Sequence, residues 1–254
     1  MALHTEMVHY HLPAALAAMQ GNKFTVPAQV VRETKNEVRV VARKDGDLVT
    51  ADAYFKAKKR KLATSIGGGP EFYTYEFLKK LGVGKDQVEI VAMKPADMPA
   101  ALSNGSVDAI AIFDPFAFIA EKQLGGNSIT FTDSSVYSEV YVIEGRESIK
   151  NDTAITDKLL KGLLAAEKFT QTNPDDAKQI VANRTKLDKG TVNDIWGSYN
   201  FQVALTPQLL DYWNREAVWA KDTGKVKPET ALPDFNELIT AGSLKRLNPE
   251  AVGF

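Results

Sequence analysis

The stretch Lys61-Leu-Ala-Thr-Ser-Ile-Gly-Gly-Gly-Pro-Glu-Phe-Tyr-Thr-Tyr-Glu-Phe-Leu-Lys-Lys80 narrows the possible folds more than any other. A short apolar run, Leu62 to Ile66, meets three consecutive glycines, and Pro70 then opens a segment with helical apolar spacing. Strand, tight turn and helix start read this way in sequence. The triplet Gly67, Gly68, Gly69 falls at the helix N-terminus, where the first backbone N–H groups have no intrahelical partner and the macrodipole adds partial positive charge. A small anion or the polar end of a ligand suits such a place, and glycines let it approach the backbone closely.

Two similar units follow. Val88 to Met93 reads as a strand, and Pro95 to Ser103 as a short helix ended by Asn104-Gly105. Asp108 to Phe113 is a nearly continuous apolar strand, as expected for burial on both faces of a parallel sheet, and Asp114-Pro115 starts a helix over Phe116 to Leu124. Strands and helices alternating at this length predict right-handed crossovers and an α/β sheet. Ligands of such sheets collect at the carboxyl ends of strands, where the glycine triplet and Phe113 to Pro115 both belong.

Elsewhere the chain predicts a helix from Leu12 to Met19, strands over Phe24 to Val31 and Glu37 to Ala42, and short strands at Ile129 to Phe131 and Val140 to Ile143. From Thr153 the pattern turns helical, over Ile155 to Thr172, Pro174 to Arg184, Lys189 to Ser198 and Thr206 to Asp222, with Thr206 as cap and Pro207 in the first turn. Two short helices end the chain. The run Lys56 to Lys61 has five basic residues among six and reads as a solvated turn ahead of a buried strand.

Composition excludes several chemistries. The 254 residues contain no cysteine, which removes disulfides, thiolate nucleophiles, zinc-thiolate sites and iron–sulfur clusters. Thirty-one basic residues against thirty-two acidic ones give a net charge of -1, so nothing global points to nucleic acid or an anionic membrane. No apolar run approaches the roughly 18 residues that span a bilayer. Met1 to Glu6 has neither the basic nor the apolar region of a secretory signal.

No Gly-Lys-Ser/Thr follows the triplet, which excludes a P-loop. A dinucleotide fingerprint fits poorly, because Tyr73 stands where the helix-packing glycine belongs, and a plain turn without ligand stays open. His4, His9 and His11 lack the carboxylates that would complete a metal set, so they read as surface or packing residues. There is no nucleophile elbow, and Glu6 and Asp114 are the only acid/base pair worth naming. The aromatic set Trp196, Tyr199, Phe201, Tyr212, Trp213 and Trp219 reads as core. No catalytic residue, metal site or cofactor is predicted.

The ordered set "LATSIGGGPEFYTYEFLKKLGV", "MPAALSNGSVDAIAIFDPFAFIAEKQLG", "LLKGLLAAEKFTQTNPDDAKQIVA" and "EAVWAKDTGKV…PDFNELI…LKRLNPEAV" resembles the substrate-binding proteins of ABC importers for nitrate, sulfonates, taurine and thiamine-pyrimidine precursors. The resemblance implies an α/β, two-lobe, periplasmic-binding-protein type II-like fold that closes like a hinged clamp. Lobe 1 would comprise residues 1–42 and 144–254, and lobe 2 residues 43–143.

Carried over by position, the resemblance implies ligand contacts from Gly67, Gly68 and Gly69, from Phe113, Asp114 and Pro115, from Thr5 and Glu6 in the opposite lobe, from Arg43 at the end of one crossing strand, and from Tyr137 and Glu139 before the other. The hydroxyls that relatives often carry in the loop are missing, so recognition of an anion would fall to backbone N–H groups. Because the family pattern normally opens with an additional strand-helix-strand-helix unit, the resemblance implies a lobe 1 that is N-terminally truncated, and a signal peptide lost with it. The expected protein is a monomeric, extracytoplasmic solute-binding component that captures a small organic anion or zwitterion and partners a membrane permease. Two other classes are weighed against it. An enzyme on the same scaffold, like the thiamine-pyrimidine synthases, would need a cysteine-rich motif, and a ligand-sensing module would lack a transporter.

Overall fold

The computed structural model describes residues 8–33 and 38–254, with backbone alone over 8–13. It divides into two units. The first gathers the described residues up to Glu33 with Glu139–Phe254, and the second holds those between Thr34 and Ser138. The boundaries expected from sequence, 42/43 and 143/144, would split both the strand over Arg39–Arg43 and the one over Val140–Arg146; the observed division runs ahead of both strands.

The described residues of the first unit start with β1 (Val8–Tyr10), α1 (His11–Met19) and β2 (Phe24–Glu33). The second unit follows, with β3 (Arg39–Arg43), α2 (Ala51–Ala57), β4 (Arg60–Thr64), α3 (Gly69–Lys80), β5 (Val88–Ala92), α4 (Met98–Ser103), β6 (Ala109–Ile112), α5 (Phe116–Leu124) and β7 (Ser128–Phe131). The first unit is then completed by β8 (Val140–Arg146), α6 (Thr153–Thr172), α7 (Pro174–Thr185), α8 (Lys189–Trp196), β9 (Tyr199–Ala204), α9 (Pro207–Asp222) and α10 (Gly242–Leu247).

In the second unit the sheet order is β5-β4-β6-β3-β7. β4 runs parallel to β5 and β6, while β3 runs antiparallel to β6 and β7. The parallel part is the α/β sheet that the alternating pattern predicts. All four residues of β6 are buried, which explains its unbroken apolar sequence: helices cover both faces. Ile110 and Ile112 pack with Val41, Ala63, Met98 and Leu102 in the core of this unit. A second aromatic layer joins Tyr54, Phe55, Phe77 and Phe131 through tilted and edge-on rings.

The first unit has the sheet order β1-β8-β2-β9, with β2 antiparallel to both neighbours. Pro27 lies inside this central strand, where a proline cannot donate to the ladder. A register shift between Thr25 and Ala28 accommodates it. Trp213 and Trp219 on α9 are buried, and Trp213 meets Phe235 at 5.5 Å, so this part of the aromatic set is core.

Several local expectations are corrected. Tyr199 to Ala204 is a strand, paired with β2, which the helical reading of this region passes over. Ala51–Ala57 is a helix capped by Thr50, whose hydroxyl accepts the Ala53 N–H at 3.2 Å. The basic run is not uniformly solvated: Arg60 is 2% exposed, stacks 3.9 Å over the Tyr54 ring and pairs with Asp45 at 2.7 Å. Thr206 does not cap α9 through its side chain; its hydroxyl donates to Gln29 Oε1 at 3.2 Å.

Candidate functional site

The β4–α3 loop takes its shape from glycine chemistry. Gly67 has φ +86°, a left-handed conformation that a side chain would strain, and it reverses the chain from β4 into α3. Gly68 stands at the cap position without a side chain to satisfy the first helical N–H groups, and Pro70 in the first turn loses no hydrogen bond there. The Gly67 N–H is already engaged, donating to Glu71 Oε2 at 2.7 Å. Glu71, on the first turn of α3, thus supplies an internal anion to a loop expected to receive one from outside. Thr64, just ahead, is buried and donates its hydroxyl to the Ala111 carbonyl at 3.1 Å, tying β4 to β6.

Gly69 has a tighter role. A Cβ built on it would lie well inside van der Waals contact distance of the Tyr137 hydroxyl and 3.0 Å from Tyr137 Cζ. Only a glycine lets Tyr137 lie against the first residue of α3, where Phe72 also meets it edge to face at 5.5 Å. The structure therefore brings Gly67 to Gly69 together with Tyr137 in one corner of the second unit.

The β6–α5 loop opens on the same edge as the β4–α3 loop, because β4 and β6 are adjacent and parallel. Phe113 and Phe116 are half-buried and edge-on at 5.8 Å; Asp114-Pro115 between them is a cis peptide. Asp114 is 8% exposed, and its Oδ1 accepts both from Arg39 Nη2 at 2.8 Å and from the Phe118 N–H at 3.1 Å. Arg39 also grips Glu121 with two donors, Nε to Oε1 and Nη2 to Oε2, each at 2.9 Å. The Thr130 hydroxyl donates to Glu121 Oε1 at 2.7 Å.

This network sets the local charge. Burial disfavours the charged guanidinium of Arg39, but its hydrogen bonds and attraction to Glu121 and Asp114 outweigh that and hold its pKa above the usual arginine value. Burial likewise pushes the Glu121 carboxyl up, and the Arg39 and Thr130 contacts more than reverse this, leaving it below the ordinary glutamate value. The charge of Asp114, expected to bear on the ligand, is met by Arg39 within the fold.

Arg43 lies elsewhere, contrary to expectation. β3 runs antiparallel to β6, so its first residue, Arg39, stands opposite Ile112 at the edge with the two loops. Arg43 is four residues further along, about 13 Å at the rise of a strand. It stands at the opposite edge, where its N–H donates to the Asp108 carbonyl at 3.0 Å and Nη1 donates to the Leu102 and Ser103 carbonyls at the end of α4. Arg39, which the sequence gives no reason to prefer over Arg43, takes the place at the loop edge. Both ends of the apolar Val40-Val-Ala42 run carry an arginine, and only the pairing direction separates them.

Glu139 belongs to the first unit, is fully buried, and its backbone carbonyl accepts the Glu33 N–H at 3.1 Å. Thr5 and Glu6, with His4, lie outside the described residues. Among the described residues no group of three or more His, Cys, Asp or Glu side chains is arranged to hold a metal, and no helix is long and apolar enough to cross a membrane.

Comparison with known proteins gives this geometry a setting. The NMT1-like family model matches residues 5–185. A Brucella abortus (strain 2308) protein called a binding protein is 26% identical over 162 residues, covering 58% of this chain. The match takes in 48% of that relative, so the chain spans about half the length of the curated relatives it matches. The crystal structure of the periplasmic aliphatic sulphonate binding protein SsuA from Escherichia coli superposes with a TM-score of 0.77 at 17% identity, covering 91% of this chain and 78% of that one. The alkanesulfonate-binding protein SsuA from Xanthomonas axonopodis pv. citri, bound to MOPS, gives 0.68 at 16% identity, covering 91% and 78%. The desulfurization enzyme DSZB gives 0.67 at 13% identity, covering 96% and 85%. The fold is thus that of the two-lobe periplasmic binding proteins, and an enzyme shares it.

Proposed function

The chain belongs to the NMT1-like family, and from that premise we propose that it is the solute-binding component of an ABC importer. It captures a small organic anion or zwitterion between two lobes, performs no covalent chemistry and hands the closed form to a membrane permease. The observation that carries this reading is the pair of adjacent loops, Ser65 to Gly69 and Phe113 to Pro115, at the carboxyl ends of two neighbouring parallel strands. Open α/β sheets bind ligands at such strand ends. Gly68 and Gly69 offer backbone at the start of a helix, and Tyr137 stands against it. A ligand that touches both lobes only when they meet shifts the hinge equilibrium toward the closed form. The names of two solved neighbours, a periplasmic binding protein from Escherichia coli and a ligand-binding component of an ABC-type import system from Staphylococcus aureus, support an extracytoplasmic location and an importer partner, and the component as proposed is a monomer.

The desulfurization enzyme on the same fold is the competing class. A variant of that enzyme with a cysteine exchanged for serine binds biphenyl-2-sulfinic acid. The 254 residues of this chain hold no cysteine, which favours capture over chemistry of that kind.

Thermal unfolding against sulfonates, nitrate, aromatic carboxylates and aminopyrimidines tests the reading. A true ligand at a hundred times its Kd stabilises by about 2.7 kcal/mol, which in a chain of this size raises Tm by roughly 5–10 °C. No shift with any class would overturn it.

A further inference from the structure

The five-stranded sheet of the second unit ends at β5 (Val88–Ala92), and that end is open. Glu89, Ile90 and Ala92 are exposed, Ile90 to 44%. β7, at the other end of the sheet, is half-buried over Ser128 to Thr130, and β9, an outer strand of the first unit, exposes the polar Asn200 and Gln202. Soluble proteins blunt their sheet edges with charge, proline or cover. β5 carries Glu89 alone, beside an exposed isoleucine.

The backbone of β5 is free to pair. The Gln87 carbonyl accepts the Arg60 N–H at 2.9 Å and the Met93 N–H donates to the Thr64 carbonyl at 3.1 Å, so the odd-numbered residues turn their backbone groups toward β4. Alternate residues of a strand turn theirs the opposite way. Ile90 and Ala92 therefore aim both N–H and C=O outward, as Val88 aims its carbonyl; the Val88 N–H is taken by the Gly84 carbonyl at 3.2 Å.

The flanking charges fit a second copy of the same edge. Asp86 and Lys94 are both exposed and stand four positions to either side of Ile90. We propose that two copies of the chain pair antiparallel through β5, about a two-fold axis at Ile90. Ile90 then exchanges two hydrogen bonds with its counterpart, each Ala92 N–H reaches the partner's Val88 carbonyl, and the two isoleucines bury their exposed surface against each other. Carrying the register outward sets Asp86 against the partner's Lys94 on both sides of the axis. Centring the pair one residue earlier opposes Glu89 to the partner's Glu89, which like charges disfavour. One residue later, Asp86 meets the partner's Ala96 and the ion pairs are lost. A five-residue edge buries less than the roughly 1,200–2,000 Å² of a stable specific interface, so the monomer taken above for the solute-binding component is the dilute form and the pair the concentrated one. The pairing stands independently of the solute-binding reading.

Sedimentation velocity of the full chain from micromolar to near-millimolar concentration tests it. The weight-average sedimentation coefficient is expected to rise reversibly from monomer toward dimer and to stop there, because pairing uses up the open edge. Ile90→Lys, at an exposed position, should hold the chain monomeric throughout with its Tm retained. Asp86→Lys and Lys94→Asp should each weaken the dimer by about tenfold, since each places like charges at both ends of the paired strands. The double reversal, Asp86→Lys with Lys94→Asp, should restore the parent association. A parent chain that stays monomeric over the whole range overturns the proposal, as does a dimer indifferent to Ile90→Lys or growth beyond the dimer. Charge reversals without effect, or a double reversal that fails to recover, overturn the register centred on Ile90.

Discussion

One guanidinium, that of Arg39, fastens the β6–α5 loop through Asp114 and helix α5 through Glu121 to the first residue of β3. Removing one partner from a buried ionic group strands the others without compensation, at a cost of roughly 3–5 kcal/mol. Arg39→Met should therefore lose about that much in urea unfolding, and adding Asp114→Asn with Glu121→Gln should restore most of it. The pH dependence follows from Glu121. Its folded carboxyl lies below the ordinary value of 4.5, so the stability it contributes is fully present above that pH and is lost as pH falls through the folded value. Glu121→Gln should flatten the fall in Tm on acidification below about pH 4.5, measured against the parent chain. The sequence makes Asp114 a plausible site residue, yet its charge partner is 75 positions away and nothing local announces it. The same limit explains the exchange of Arg43 for Arg39. Both cap the same strand, and only the antiparallel direction of β3, a matter of long-range pairing, decides which end meets the loops.

At the scale of elements, α3 and its glycines behave as a fitted part. Substituting Gly69→Ala puts a methyl group into the Tyr137 ring, and overpacking of this kind costs typically about 1–3 kcal/mol. Tyr137→Phe removes the nearest atom and leaves Cζ at 3.0 Å, so the double variant should regain part of the loss in chemical denaturation. If the two substitutions simply add, the contact is not what requires glycine. The unit Leu62 to Lys80 is legible in sequence because apolar run, glycines and proline are all local signals. So is β6, whose unbroken apolar residues report burial on both faces. β9 is not legible in the same way. Its sequence, Tyr-Asn-Phe-Gln-Val-Ala, continues an aromatic pattern begun on α8, and its identity as a strand depends on pairing with β2, some 170 residues earlier. Helix α2 has only seven residues and lies between a turn and a basic run whose one buried member, Arg60, is held by Asp45 and Tyr54. Both misses have one cause, since tertiary partners override weak local preference.

At the scale of the whole molecule, the two units differ in how they are threaded. The second is one continuous stretch with its own sheet, apolar core and ionic network. Residues 38–138 expressed alone are expected to fold, giving dispersed amide resonances and a single cooperative urea transition; a collapsed, undispersed spectrum would show that this unit depends on the first. The first unit has no such independence, because β2 needs β8 and β9 from the far part of the chain. That interrupted threading sets a timetable during synthesis. At about 5–20 residues per second, the ribosome needs roughly 5–20 s to make the chain between Glu33 and Val140. Throughout that interval the second unit can finish folding while Phe24–Glu33, a ten-residue strand with both edges unsatisfied, waits for partners not yet translated. A nascent chain in that state exposes a pairing-competent segment to its neighbours on the polysome, so β2 is where a holding chaperone would act first.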